Sequence, residues 1–382
     1  MHLIQFSKKI LIEIIMKSIL EKYADLLVNY CVNLQQGERV LIKAPIIAMP
    51  LVREVYREAL KAGAIPVTDF DFHGQHRILL EHGEKEQLEY VSPVYAEAME
   101  HYEAYINIRG AENHSEMAPA KKEKNSIFNA AHAPYRKTYF ERTATRDMKR
   151  TLCEYPTMGS AQLAGMAFEE YEDFIFNACN LYAENPREEW LKVSAKQQKI
   201  IDVLNSRTNI QYKSDKIDIS FNTEGRLWIN SDGQTNMPSG EVYTSPVENS
   251  VNGTIHFDYP VVQMGKYVEG VTLWVKDGEI QKWEAKQGQS VLDYIFNDIE
   301  GSRYFGEAAI GTNFNINRFT KNILFDEKIG GTVHMAIGQS YLQCGGKNQS
   351  NIHWDMIADM TNNGQIFADD ELIYKNGHFL FL

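Results

Sequence analysis

Ile19, Leu20, Tyr23, Leu26, Leu27, Tyr30 and Cys31 recur at intervals of about three and four, which predicts an amphipathic helix over 18–34. Gln35-Gln36-Gly37-Glu38 then reads as a turn and Val40-Leu41-Ile42 as a short buried strand. Leu51, Val52, Val55, Tyr56, Ala59 and Leu60 share one face of a second helix, which Gly63 ends. Ile65 to Phe72 is the next strand, Val94 to Tyr102 a helix and Tyr105 to Arg109 a third strand. Strands alternating with helices predict a parallel sheet, because parallel neighbours need a long crossover to bring the chain back. No Gly-rich phosphate loop follows the first strand, so a nucleotide-binding version of this fold is not supported.

Residues 117–150 are polar and basic, carrying Lys121, Lys122, Lys124, Arg136, Lys137, Arg142 and Lys149, and read as a solvated helical face. Residues 160–206 read as helical, with Ala161, Leu163, Met166, Tyr171, Phe174, Trp190 and Ile200 to Leu204 as apolar positions. From about 207 the period changes to two. Ile217-Asp218-Ile219-Ser220-Phe221 and Thr254-Ile255-His256-Phe257-Asp258-Tyr259 alternate, and frequent glycines punctuate short strands. The expected fold class is therefore α/β plus α+β. An N-terminal α/β and helical domain with a parallel sheet covers 17–206, and a β-rich α+β domain covers 207–382.

Composition adds limits rather than detail. At 382 residues, two domains are the default. A net charge of −12 argues against nucleic acid or an anionic membrane as a partner and suits a protein that attracts cations. Cys31, Cys153, Cys179 and Cys344 are too scattered for a disulfide framework, which suggests the cytoplasm. The apolar run Ile10 to Ile15 is short and interrupted by Glu13, so it reads neither as a signal peptide nor as a membrane span. Residues 1–16 are expected to be an N-terminal extension preceding Met16-Lys17-Ser18.

The candidate chemistry lies in the second half. His353-Trp354-Asp355 places an imidazole and a carboxylate two residues apart, on one face of an extended segment. His334 lies in an apolar run, and Glu241 and Glu307 each follow a glycine. Carboxylate and neutral imidazole are the donors that divalent metals of hydrolytic sites accept, and two close metals need a bridging carboxylate. Singly, each residue has a bland reading: a solvated turn glutamate, or a core histidine bonded to a neighbour. His256-Phe257-Asp258 repeats the His-x-Asp form on an ordinary half-buried strand and is assigned to structure.

The wider contexts are more specific. Asn236-Met237-Pro238-Ser239-Gly240-Glu241-Val242-Tyr243-Thr244-Ser245-Pro246, Gly306-Glu307, Gly331-Thr332-Val333-His334-Met335-Ala336-Ile337-Gly338 with Tyr341, and Asn348-Gln349-Ser350-Asn351-Ile352-His353-Trp354-Asp355 occur in this order. Together they resemble the metal motifs of the thermophilic aminopeptidase family of metallopeptidases, which includes aminopeptidases T and S and PepS. Lys22 to Val28, Glu58-Ala59 and Gly63-Ala64 extend the resemblance into the first half, so that it covers Met16 to Leu382. Two places depart from it: Phe305-Gly306-Glu307-Ala308 replaces the more usual Leu-Gly-Glu-Val, and Leu342 stands after Tyr341 where a proline is expected.

The resemblance implies a C-terminal metallopeptidase domain and two divalent ions (zinc, cobalt, manganese or magnesium). Glu241, Glu307, His334, His353 and Asp355 are the implied ligands, with Glu307 as the bridge and a catalytic residue. Tyr341 is implied beside the metals as a polarising hydroxyl. The implied activity is release of N-terminal amino acids from peptides with a free N-terminus, through a hydroxide activated by the dinuclear site, by a cytoplasmic homodimer. Two alternatives stay open: another metal-dependent amide hydrolase on this scaffold, or a binding protein that retains the fold without catalysis. A structural single-zinc site is weaker, because such sites are usually rich in cysteine.

Overall fold

The computed structural model describes residues 19–117 and 122–382, so the expected extension over 1–16 lies outside the described residues. The chain forms two compact units. One runs up to Glu189 and takes back Gly233–Pro238; the other comprises Trp190–Asp232 and Ser239–Leu382.

The first unit is built on a five-stranded parallel sheet, ordered Ile65–Asp71, Arg39–Pro45, Ala104–Arg109, Lys149–Glu154 and Asn236–Met237. Val40, Leu41 and Ile42 are wholly buried, as a strand flanked on both sides in a helix-covered sheet must be. The helix Met49–Lys61 makes the first crossover and buries Leu51, Val52, Val55 and Ala59. The helix expected over 18–34 is α-helical over 19–25 and continues as a π-helical segment, Leu26–Cys31, that buries five of its six residues. Helix Lys122–Ala144 has no buried residue, in keeping with its basic, solvated composition.

Strand Lys149–Glu154 was hidden inside that basic run, because it opens with two cations; only Thr151, Cys153 and Glu154 of its residues are buried. The helical stretch 160–206 resolves into helices Met158–Ala164, Phe168–Ala178 and Pro186–Asn205. The units part at Glu189/Trp190 rather than near 206. The reason is visible in the last helix, whose Ile200, Ile201 and Leu204 join the second unit's core.

The second unit contains two antiparallel sheets. The larger has nine strands; eight are ordered Val261–Gln263, Lys266–Lys276, Asn252–Phe257, Asp218–Asn222, Asn209–Lys213, Gln365–Ala368, Glu371–Lys375 and His378–Phe379, and Glu279–Gln287 also pairs with Lys266–Lys276. The smaller has five, ordered His353–Asp359, Thr332–Gly338, Phe305–Gly311, Glu241–Thr244 and Ile229–Ser231. Both sheets contribute to one apolar core: Ile210, Ile219, Ile255 and Leu273 from the larger, and Ile310, Val333, Met335 and Met356 from the smaller. Full burial of each such side chain contributes about 1.5–3 kcal/mol. The four cysteines are buried and outside any disulfide, and among the described residues no helix is long and apolar enough to cross a membrane.

One surface ion pair gives the first unit an acid-sensitive contribution. Arg39 donates from Nε (3.2 Å), Nη2 (2.8 Å) and its backbone N–H (2.8 Å) to Glu103. The guanidinium bonds hold the Glu103 carboxyl down at about 2. A depressed carboxyl stabilises fully above its unfolded value, about 4.3, and the contribution is lost as pH falls towards the folded value. Glu103→Gln is therefore expected to melt earlier than wild type at pH 6, with the gap closing as pH falls from about 4.5 to about 2. A gap in melting temperature that stays constant across that window would refute the assignment.

Candidate metal centre

The five candidate ligands gather on the smaller sheet because of its register. Paired residues in an antiparallel sheet share a face, and each strand changes face at every step. Glu241 pairs with Gly311, Ala309 with His334, Glu307 with Ala336, Ala336 with Asp355, and Gly338 with His353. Glu241, Glu307, His334, His353 and Asp355 therefore lie on one face, with the small residues Ala309, Gly311, Ala336 and Gly338 between them. The intervening positions, Val242, Ala308, Ile310, Val333, Met335, Trp354 and Met356, belong to the apolar core.

Glu307 reaches this face through a β-bulge. Phe305 pairs with Ile337 and Glu307 with Ala336, so Gly306 is an extra residue that the partner strand does not match. In a regular strand Phe305 and Glu307 would share a face; with the bulge Phe305 enters the core and Glu307 faces away from it. Only glycine fits there, since a Cβ on Gly306 would lie 2.4 Å from the Gln339 carbonyl oxygen and 2.6 Å from that of Gly338. Ser245 Oγ donates to the Gly306 carbonyl at 2.7 Å and accepts from the Tyr341 backbone N–H at 3.2 Å, which ties the bulge to the Tyr341 loop.

Glu241 is held by a second set of contacts. Gly240 has φ +119°, and a Cβ there would lie 2.6 Å from Asn313 Cβ. Asn313 Nδ2 donates to the Ser239 carbonyl at 2.8 Å, and the Thr312 N–H to the Gly240 carbonyl at 2.8 Å. Gln197 Nε2 donates to the carbonyls of Ser231 (3.1 Å) and Glu241 (3.0 Å), and Thr312 Oγ1 donates to its Oε1 (2.8 Å). Gln197 comes from the helix Pro186–Asn205, a position that no motif in the sequence singles out.

The side chains form two groups that share Glu307: Glu241, Glu307 and His334, and Glu307, His353 and Asp355, the donor atoms of each lying within 4.8 Å of one another. His334 Nε2 is 3.4 Å from Glu241 Oε2 and 3.7 Å from Glu307 Oε1; His353 Nε2 is 3.1 Å from Glu307 Oε2 and 3.4 Å from Asp355 Oδ1. His353 Nδ1 is 2.8 Å from the Gln339 carbonyl, so it carries the proton and Nε2 faces the carboxylates. Glu241 Oε2, Asp355 Oδ1 and His334 Nδ1 are buried without a hydrogen-bond partner. Buried acceptors left unpaired are costly, and oxygen and imidazole donors are those that zinc, cobalt or manganese accept. The residues present thus fit a divalent-metal centre.

The charges point the same way. Burial opposes protonation of the imidazoles, yet the carboxylates prevail, raising His334 to about 9 through Glu307 and Glu241, and His353 to about 12 through Asp355 and Glu307. Burial pushes Asp355 up, but His353 and His334 hold it down at about 2. Without a metal the carboxylates draw protons onto the histidines, and an arriving cation displaces those protons. Two further charged residues, absent from the sequence-derived set, complete the cluster. Lys328 is fully buried; its Nζ contacts Glu327 and lies 3.7 Å from Glu241 Oε1. Burial raises Glu327 to about 8 against the pull of Lys328. Their signal in the sequence is a charged run, Asp326-Glu327-Lys328, set between apolar Phe325 and Ile329.

The Tyr341 ring lies 5.0 Å from the His353 ring, edge to face, and 5.2 Å from Tyr243. Burial raises its hydroxyl well above the ordinary value, so the phenol stays a proton donor. Leu342, in the place of the expected proline, is exposed at the start of a 3₁₀ turn, Leu342–Cys344. His256 and Asp258 are elsewhere in the unit, bonded to Thr272 and Lys216 at 2.8 and 2.7 Å.

Residues 16–379 match the family model described as thermophilic metalloprotease (M29). The chain is 26% identical to aminopeptidase 2 of Geobacillus stearothermophilus, over 95% of this chain and 98% of that protein. It is also 25% identical to aminopeptidase T of Thermus thermophilus, over 84% of this chain and 85% of that one. The solved structure of wild-type AmpT from Thermus thermophilus superposes with a TM-score of 0.82 at 24% identity, covering 95% of this chain and 99% of that chain, and shows the same fold.

Gly306→Ala is expected to lower the divalent metal bound per chain, because the added carbon meets backbone oxygens and turns Glu307 out of register. Elemental analysis beside circular dichroism tests this. A folded variant that binds as much metal as wild type would show that the bulge does not place Glu307.

Proposed function

The chain belongs to the thermophilic metalloprotease family M29 and is a metallopeptidase, and on that premise we propose that it is an aminopeptidase working through two divalent ions held by Glu241, Glu307, His334, His353 and Asp355. The observation that carries this reading is the pair of donor groups meeting at one shared carboxylate, Glu307. When bound, divalent ions supply Lewis acidity and lower the pKa of water from 15.7 to about 7.

The chain's own residues supply the rest. Glu307 orients both halves of the centre at once, because its two oxygens face different histidines. Gln339 fixes the tautomer of His353. Tyr341, kept protonated by burial, is the hydrogen-bond donor for the carbonyl oxygen as negative charge develops on it. Names of relatives as aminopeptidases support the exopeptidase class. Family resemblance supports a homodimer, and buried cysteines outside any disulfide are in keeping with the cytoplasm.

The test is a panel of leucine anilides and peptides with free or N-acetylated termini, assayed after chelation and stepwise return of zinc, cobalt, manganese or magnesium. Hydrolysis is expected only with metal and a free amine. Equal cleavage of N-acetylated substrates would favour a different amide hydrolase, and no cleavage beside tight metal binding would favour the non-catalytic alternative. Glu307→Ala is expected to lose activity and bound metal together. Tyr341→Phe is expected to keep its metal and lose roughly 100- to 1,000-fold in kcat; wild-type turnover would remove Tyr341 from the mechanism.

A further inference from the structure

We propose that Arg226 and Glu248 are positioning residues: their ion pair latches the loop that carries Tyr341 and so sets turnover. The inference rests on the aminopeptidase reading above, in which Tyr341 is the donor to the carbonyl oxygen.

An oxyanion donor is effective only where its hydroxyl is held in place before charge develops. The segment that carries Tyr341 has little stiffness of its own. A single 3₁₀ turn, Leu342–Cys344, follows it, and then Gly345 and Gly346, whose backbones are the most permissive. Its order is imposed by neighbours. On the near side the Tyr341 N–H donates to Ser245 Oγ at 3.2 Å. On the far side the Leu227 N–H donates to the Cys344 carbonyl at 3.1 Å, and the Lys347 N–H to Glu248 Oε1 at 2.7 Å. The Tyr341 carbonyl accepts from the N–H groups of Cys344 and Gly346, both at 3.1 Å, so a shift of the far side is passed to Tyr341 itself.

Arg226 holds Glu248 for this task. Its side chain is only 5% exposed, and its Nη2 donates to Glu248 Oε2 at 2.5 Å, which leaves Oε1 for the loop. Such charge-assisted bonds are short and directional. Arg226 also packs on the loop directly: a Cβ on Gly345 would lie 3.6 Å from Arg226 Cδ and 3.1 Å from the Gly225 carbonyl oxygen. Glu248 is fixed from behind, where a Cβ on Gly278 would lie 1.9 Å from its carbonyl oxygen. Gly278 belongs to the turn between Lys266–Lys276 and Glu279–Gln287 of the larger sheet. One ion pair thus joins that turn, the segment before Ile229–Ser231 and the Tyr341 loop. A pair this buried loses to desolvation much of what attraction gains; what it supplies here is a fixed geometry.

The experiment is a double-mutant cycle on metal-loaded enzyme. Glu248→Ala, Glu248→Gln and Tyr341→Phe, and the combination of Glu248→Ala with Tyr341→Phe, are compared with wild type. The readouts are kcat and KM for leucine 4-nitroanilide, bound metal and circular dichroism. Glu248→Ala is expected to lose about 10- to 100-fold in kcat, the scale of a small misplacement of a reacting group, with KM and metal near wild type. Glu248→Gln should recover much of this, because its amide oxygen still accepts from the Lys347 N–H. In the Tyr341→Phe background Glu248→Ala should cost nothing further, since the group it positions is already gone. Glu248→Ala leaves Arg226 uncompensated, so Arg226→Met combined with Glu248→Leu, which removes both charges, replaces it in the cycle if it fails to fold. Wild-type kcat in the latch variants, loss of bound metal, or a full further loss in the Tyr341→Phe background overturns the inference and leaves the aminopeptidase reading intact. Wild-type turnover by Tyr341→Phe removes Tyr341 from the mechanism and this inference with it.

Discussion

The position of one backbone residue, Gly306, governs where the candidate ligands of the second unit meet. A strand has two faces, and here one is committed to an apolar core that includes Phe305, Ile310, Val333 and Met335. Core burial and ligand convergence make opposite demands on Phe305 and Glu307, which a regular strand would place on the same face. The bulge satisfies both, and the close Gln339 and Gly338 carbonyls restrict its residue to glycine. Once Glu307 faces outward, the pairings with Ala336 and the neighbouring strand bring Asp355 beside it, and His334 and His353 follow at two-residue intervals. Small side chains at Ala309, Gly311, Ala336 and Gly338 leave the space between them.

The second determinant is charge. The carboxylates of three candidate ligands and of Glu327 converge on a region whose sole permanent cation among the groups named is Lys328. The imbalance is met by protons on His334 and His353 or by metal ions. The apolar sheet core beneath limits solvent screening, so each charge is felt strongly by the next. Buried acceptors without hydrogen-bond partners, Glu241 Oε2 and Asp355 Oδ1, belong to the same imbalance. The support for these side chains comes from neutral groups: the Gln197 amide, the Gln339 backbone carbonyl and the Ser245 hydroxyl hold the segments that carry the candidate ligands.

Much of this was legible before any coordinates. Continuous apolar runs such as Val40-Leu41-Ile42 identify buried parallel strands, and the change from helical to alternating period near 207 separates the two classes of structure. Strand Lys149–Glu154 was not legible, because its leading cations belong by composition to the basic helix before it. Nor was the parting of the units at 189/190, because helix Pro186–Asn205 looks like its predecessors until Ile200, Ile201 and Leu204 are seen in the β-rich core.

The candidate ligands could be named because glycine, histidine and carboxylate stand in ordered local contexts, and chain order is what a sequence records. Residue types, periodicity and the two-residue spacing of His353 and Asp355 were therefore determined by the sequence alone. The sharing of Glu307, the outward turn at Gly306, the clamp of Gln197 and the Glu327–Lys328 pair were decided only by tertiary structure. Each depends on which strand lies beside which and in what register. Those are long-range choices, set by how the core packs rather than by any local preference of the chain.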